Sequence, residues 1–483
     1  MARGPDGRGS LRPRPDGFSK DTYRMSQTTH PSPLSGHGTL RRFLVRLHFY
    51  IGLFVGPFLF VAALTGLLNV LTPQIEARLY ASVLTTTRTG PARSLADQAA
   101  AARAHLNDSL AISAVRPAPG AGLTTRVLFS DPSLGDSENR TVFVDPVSLA
   151  VTGDLTTYGT SGILPFRLLL DGLHRNLLLG DWGRYYSELA ASWLWVAVAG
   201  GVFLWATGPG RRRALADMPP AQRRRWLHAT IGVTVSGVLV FISVTGLTWS
   251  QAGGARIDAM RGALGWETPS VSTALGTGTP SRQSAHHDHA GMAGPAVAAA
   301  VREDRAPDLD AVAQAARVAG LESPYLEIRL PMPGQAWVAR EYDRRWPTQV
   351  DTVTLHPDTL AVTSRADFAD FPLIPKLVRW GIDAHMGILF GWPNQVLMAI
   401  VATGLLATIA YGYRMWWTRR PAAGAPPLAA IWRDFGIGGR TGWAAAALVV
   451  GWALPVLGIS LALFLAIDWL RDVTRRRMSA AAS

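Results

Sequence analysis

The chain contains itself twice, and any fold it adopts must accommodate that duplication. Arg46-Leu47-His48-Phe49-Tyr50-Ile51-Gly52, leading to Leu64-Thr65-Gly66-Leu67, returns 180 positions later as Arg225-Trp226-Leu227-His228-Ala229-Thr230-Ile231-Gly232, leading to Val244-Thr245-Gly246-Leu247. A second block comprises Asp145-Pro146 with Leu149 through Thr152, then His174, Gly180 and Gly201 through Trp205. It returns 211 positions later as His356-Pro357 with Leu360 through Thr363, His385, Gly391 and Gly412 through Trp416. Each half therefore carries two histidines in equivalent places. The offsets differ by 31 residues, which puts an insertion in the Gly/Ser/Thr/Ala-rich stretch 270–299 of the second half.

Five long apolar stretches, residues 43–71, 187–206, 226–249, 393–417 and 441–470, account for a hydrophobic content of 48%. Each is near or above the roughly 20 residues a helix needs to cross a bilayer. The expectation is a membrane α-helical bundle of about five spans in two repeats, with lipid as its surroundings. Arginines cluster before the first stretch, between the second and third, and after the fourth. By the positive-inside rule those segments are cytoplasmic, which puts the N-terminus inside and the two long segments outside. The same topology explains the net charge of +13 without nucleic acid as a partner.

The predicted order is a disordered cytoplasmic tail (1–40), a first span (41–72), an outer domain (73–186), a second span (187–207) and a basic cytoplasmic loop (208–224). A third span (225–250), a second outer domain (251–392), a fourth span (393–417), a cytoplasmic loop (418–440), a last hydrophobic stretch (441–470) and a basic tail (471–483) follow. The tail 1–40 lacks the apolar run of a signal peptide. In the last stretch, a hairpin bent near Pro455 would return Arg471, Arg475, Arg476 and Arg477 to the cytoplasm. Thirty residues are short for two crossings, so one span is expected.

Each outer segment reads as a small α+β domain. The first has helical composition over 95–106 and strand-like alternation at 126–129, 141–144 and 149–152. The second repeats the order, with a helix over 308–319 and strands near 325–330, 336–340 and 352–355 before the His356-Pro357 turn. There is no cysteine, which excludes disulfides, iron–sulfur clusters, thiol catalysis and thioether-linked haem.

A neutral imidazole binds haem iron, and two of them leave no iron position open, which suits electron transfer. His48 and His228 start spans on the cytoplasmic side, whereas His174 and His385 precede spans that run back inward. A hydrocarbon core about 30 Å thick separates the two levels, so pairing must cross the repeats: His48 with His228 inside, His174 with His385 outside. Gly52 and Gly232 each stand four residues after a histidine, on its own helical face, where a small residue leaves room for a flat macrocycle. Arg42, Arg46 and Arg225 on one side, and Arg175 and Arg379 on the other, are candidates for propionates. The Thr65-Gly66 and Thr245-Gly246 pairs read as helix-packing residues. His286, His287 and His289 lie in the low-complexity insertion, where a solvated loop is expected ahead of a copper or zinc site.

Taken together, Leu47-His48 with Ile51-Gly52 and Thr65-Gly66, the Val144-Asp145-Pro146 turn, His174 with Gly180, and Gly201 through Trp205 before an arginine run resemble the PepSY-associated transmembrane helix family of bacterial inner-membrane proteins. The resemblance covers about residues 40–420, in both halves. Its members include iron-regulated membrane proteins and ferric-siderophore reductases with two b-type haems. The resemblance implies PepSY-like outer domains, and His48, His174, His228 and His385 as haem ligands. His356 departs from the pattern by replacing the acid at Asp145.

The resulting expectation is a conduit that takes an electron from a cytoplasmic donor or quinol, through two haems b, to a ferric-siderophore or other metal chelate outside. No G-x-G-x-x-G stands between a strand and a helix to bind a nicotinamide or flavin within the chain. The rival is a membrane-anchored protein whose outer domains bind and regulate a partner without redox activity. A metal permease ranks below both, since no span carries an acid in its middle.

Overall fold

The computed structural model describes residues 36–208, 218–275, 305, 308–419 and 427–481. The tail before residue 36 and the histidines 286, 287 and 289 lie outside these residues.

The chain opens with α1 (Gly36–Phe54), α2 (Gly56–Val70), α3 (Thr72–Leu79), α4 (Ala81–Leu84) and α5 (Leu95–His105), then β1 (Ala111–Arg116), β2 (Thr125–Ser130), β3 (Glu138–Val144) and β4 (Val151–Tyr158). Helices α6 (Pro165–Asn176), α7 (Gly180–Ala206), α8 (Pro220–Leu247), α9 (Ala252–Ala263) and α10 (Leu309–Val318) follow. The second strand set is β5 (Leu326–Arg329), β6 (Trp337–Glu341), β7 (Thr352–Leu355) and β8 (Val362–Ala366). It leads to α11 (Leu373–His385), α12 (Trp392–Arg419), α13 (Leu428–Trp432), α14 (Ile437–Ala453) and α15 (Pro455–Ala481).

By length and composition α7, α8 and α12 are fit to cross a membrane, and α1 with α2 form a fourth candidate bent by 58°. The bend has a chemical cause. Pro57 has no N–H to give the carbonyl of Leu53, and its ring crowds that carbonyl. The Tyr413 hydroxyl donates to Leu53 O instead, at 2.9 Å. Gly56 lets the tyrosine approach, because a Cβ there would stand 3.1 Å from Tyr413 Oη.

The expected fifth span is divided. Pro455 ends the apolar run of α14 and begins α15, and the two helices pack against each other as a hairpin with Gly451 against Gly458. A Cβ on Gly458 would collide with the Gly451 backbone, so glycine is what permits this crossing. The hairpin is tied to the bundle by Trp193 Nε1 donating to Ser460 Oγ at 2.9 Å and by Tyr50 Oη donating to Asp468 Oδ1 at 3.2 Å.

The two expected α+β domains share one sheet. Eight antiparallel strands run in the order β4-β3-β2-β1-β5-β6-β7-β8, so each half is a meander growing outward from a central β1–β5 seam. Alternate strand residues from both halves, among them Val127, Phe129, Val142, Ile328, Trp337 and Val353, enter one core beneath α5 and α10. Asp310 of α10 caps the N-terminus of α5, accepting from Leu95 N at 2.8 Å and Ala96 N at 3.2 Å. The turn where the halves differ keeps its geometry. Asp145 accepts from Val147 N at 2.9 Å, and His356 Nδ1 accepts from the equivalent Asp358 N at 3.3 Å. Imidazole thus replaces carboxylate as the acceptor that closes the turn.

Candidate functional site

Helices α1 and α8 bring His48 and His228 together edge to face, with ring centres 6.2 Å apart and planes at 81°. Each ring is tethered by a backbone carbonyl of a different helix. His48 Nδ1 meets Ala197 O of α7 at 3.1 Å, and His228 Nδ1 meets Thr408 O of α12 at 2.9 Å. One turn beyond each carbonyl stands a glycine, Gly201 or Gly412, whose missing side chain makes room for the ring. A Cβ at Gly201 would lie 3.2 Å from His48 Cε1, and one at Gly412 would lie 3.6 Å from His228 Cε1.

The second pair sits on the sheet side of the bundle, in the last turns of α6 and α11. Thr65 Oγ1 is 3.1 Å from His174 Nδ1, and Thr245 Oγ1 is 2.7 Å from His385 Nδ1. Gly66 and Gly246 follow these threonines and give the rings space. Tyr186 Oη donates to His174 O at 3.1 Å, Asn394 Nδ2 donates to Ala384 O at 2.9 Å, and the Trp249 ring lies 6.1 Å from that of His385.

These contacts fix the tautomer of all four histidines. Ala197 O and Thr408 O can only accept, so His48 and His228 must donate from Nδ1. The threonine hydroxyls already donate to carbonyls one turn back, Thr65 to Val61 O at 2.7 Å and Thr245 to Phe241 O at 2.8 Å. They too are left to accept from histidine. Each imidazole therefore carries its proton on Nδ1 and presents an unprotonated Nε2, the arrangement by which a polar anchor orients a metal-binding histidine.

The other expected participants have the following surroundings. Nothing lies within 4 Å of a Cβ built on Gly52, so the space beside it is open, and one on Gly232 would touch Thr408 at 3.6 Å. Arg42 pairs with Asp434 at 2.9 Å, Arg46 lies over the Tyr50 ring at 4.5 Å, and Arg225 is exposed. Arg175 donates to Tyr158 Oη at 3.1 Å and lies 3.9 Å from Asp171. Thr65 and Thr245, expected to serve helix packing, are instead the anchors of the sheet-side histidines. Their recurrence beside each glycine was the available signal. The carbonyl anchors carry no side-chain signal.

A family profile described as the PepSY-associated TM region matches residues 45–419, which include all four histidines, both threonines and the whole sheet. No curated protein matches the sequence.

Proposed function

The chain belongs to the PepSY-associated TM region family, and we propose that it is a transmembrane electron conduit holding two b-type haems. The observation that carries this reading is the anchoring of four histidines through Nδ1, which frees Nε2 on each. His48 with His228 would hold one haem, and His174 with His385 the other. An imidazole nitrogen binds a metal at about 2 Å, so two axial rings on one iron have centres about 6 Å apart. The 6.2 Å spacing of His48 and His228 fits that requirement. The glycines against the rings support it as well, since they leave each imidazole room at its anchor.

When bound, such a group would supply a one-electron carrier. The protein's part is to hold the two pairs at separate depths. Thr245, the anchor of His385, comes 17 residues after His228 on α8, about 25 Å of helix and close to the thickness of a hydrocarbon core. In a bacterial inner membrane with the arginine-rich ends inside, His48 and His228 would hold their haem on the side of a cytoplasmic donor, a reduced protein or a quinol. His174 and His385 would hold theirs on the side of an extracytoplasmic ferric chelate, siderophore-bound or other, for which it would supply the one electron that converts ferric to ferrous iron. The ferrous ion is held less tightly by hard oxygen ligands and is released for uptake.

The test is a visible absorption spectrum of protein purified from haem-replete cells, with pyridine extraction to count haem. The expected result is a low-spin b-type spectrum and two haems per chain. Folded protein without Soret absorption would end this reading.

A further inference from the structure

The sheet face opposite α5 and α10 is charged. Arg126 of β2 stands directly opposite Arg116 of β1, and Glu327 of β5 stands opposite Arg340 of β6. Arg116 Nε donates to Glu327 Oε2 at 2.7 Å, while Arg340 Nη2 and Arg329 Nε each lie 2.7 Å from Glu327 Oε1. One carboxylate thus serves three guanidinium groups. Arg116 is 2% exposed, and its Nη1 has no hydrogen-bond partner. Like charges directly opposite each other on a sheet oppose pairing, so Arg116 against Arg126 is a departure from what stability alone selects.

Arg126 makes no ion pair among the described residues; its guanidinium lies 5.5 Å from the Phe143 ring centre. The turn at Gly162 brings it beside Arg116, since a Cβ there would approach the Nη1 atoms of both. Arg167, in the first turn of α6, adds a further guanidinium with a buried, unpartnered Nε. Glu76 is the acid that acts on both Arg126 and Arg167, and its Oε1 is already engaged by Arg167 N at 2.9 Å. Burial pulls the guanidinium pKa of Arg126 and of Arg167 downward, as for cations short of counter-charge. Arg116, Arg126, Arg167, Arg329 and Arg340 meet Glu327 and Glu76, with Asp171 also acting on Arg167, and helix α6, which contributes Arg167, also carries His174.

We propose that the face formed by Arg116, Arg126 and Arg167 binds a polyanion, and that the metal chelate handled beside His174 and His385 is accordingly an anionic one, with carboxylate or catecholate oxygens toward the guanidinium groups. The identity of the polyanion as a metal chelate rests on the electron-conduit reading. The recognition itself rests on the arginine face, since guanidinium forks match paired anionic oxygens.

The test is calorimetric titration of detergent-purified full-length protein with gallium(III) citrate, a redox-inert probe, against a cationic gallium trihydroxamate and inorganic phosphate. The wild type is expected to bind the citrate chelate at least tenfold more tightly than either comparison ligand. Arg126→Gln and Arg167→Gln are expected to weaken it at least tenfold while circular dichroism and gel-filtration elution stay unchanged, and Arg126→Lys is expected to recover part of the loss. No citrate binding by folded wild type, equal binding by both glutamine variants, or equal affinity for phosphate would overturn the proposal. Because gallium is not reduced, the outcomes separate. Chelate binding without haem would remove the conduit and leave this site, and two haems without chelate binding would remove this site alone.

Discussion

The hydroxyl of Thr245 stands 2.7 Å from Nδ1 of His385, and its own proton is committed to the carbonyl of Phe241. The threonine is therefore an acceptor for the histidine and sets which nitrogen faces the site. Thr245→Val keeps the shape and removes the acceptor. It is expected to weaken haem retention at the His174–His385 level by about 10- to 100-fold, the usual effect of losing a ligand's anchor. Thr65→Val should act likewise, and Thr245→Ser should be nearly neutral. Haem retention during dilution, read from the Soret band with melting temperature as the folding control, checks all three.

Glycine size should matter unequally at the other level. Gly201→Ala places a methyl 3.2 Å from His48 Cε1, tighter than ordinary contact, whereas Gly412→Ala places one 3.6 Å from His228 Cε1. The first is expected to displace the ring and cut occupancy of the His48–His228 haem severalfold, the second to leave it near wild type. Haem counts on the two purified variants give the comparison.

The bend between α1 and α2 depends on a borrowed hydrogen bond. Tyr413→Phe leaves Leu53 O without its donor and should cost about 0.5–1.5 kcal/mol. Unfolding in detergent should show this loss, with a smaller effect for Tyr411→Phe, whose hydroxyl makes no hydrogen bond among the described residues.

Much of this architecture was legible beforehand. The length of the apolar runs gave α7, α8 and α12, and the duplication set His48 and His228 at equivalent helix starts, where their rings now stand 6.2 Å apart. What the sequence hid was relational. The β1–β5 seam joins residues more than 200 positions apart, and β1 itself, a short Ala-rich strand at the sheet centre, went unread. The division at Pro455 was visible as a proline but was outweighed by length, because the charged end of α15 extends that helix well past the apolar run. Thr65 and Thr245 looked like packing residues because small polar residues beside glycine are common between membrane helices. Only their distance to histidine reveals the anchor.

Acid should loosen the sheet through Glu327. Burial alone would raise this carboxyl, but Arg340, Arg116 and Arg329 together hold it well below the usual carboxylate range. A depressed folded-state pKa contributes stability that is present above the unfolded value, about 4.3, and is lost as pH falls toward the folded one. Wild-type sheet stability is therefore expected to fall below about pH 4.5. Glu327→Gln, which leaves buried guanidinium groups uncompensated, should be less stable by roughly 3–5 kcal/mol at neutral pH and should lose this part of the acid dependence. Thermal unfolding of both proteins between pH 3 and 7 measures it.

The pairing of histidines is tested most directly by haem counts on double variants. If His48 and His228 share one haem and His174 and His385 the other, each single alanine variant retains one haem per chain. His48→Ala with His228→Ala still retains one, because both changes strike the same site. His48→Ala with His174→Ala retains none. One haem surviving in that crossed variant, or none in the His48/His228 double variant while the protein stays folded, would contradict the account.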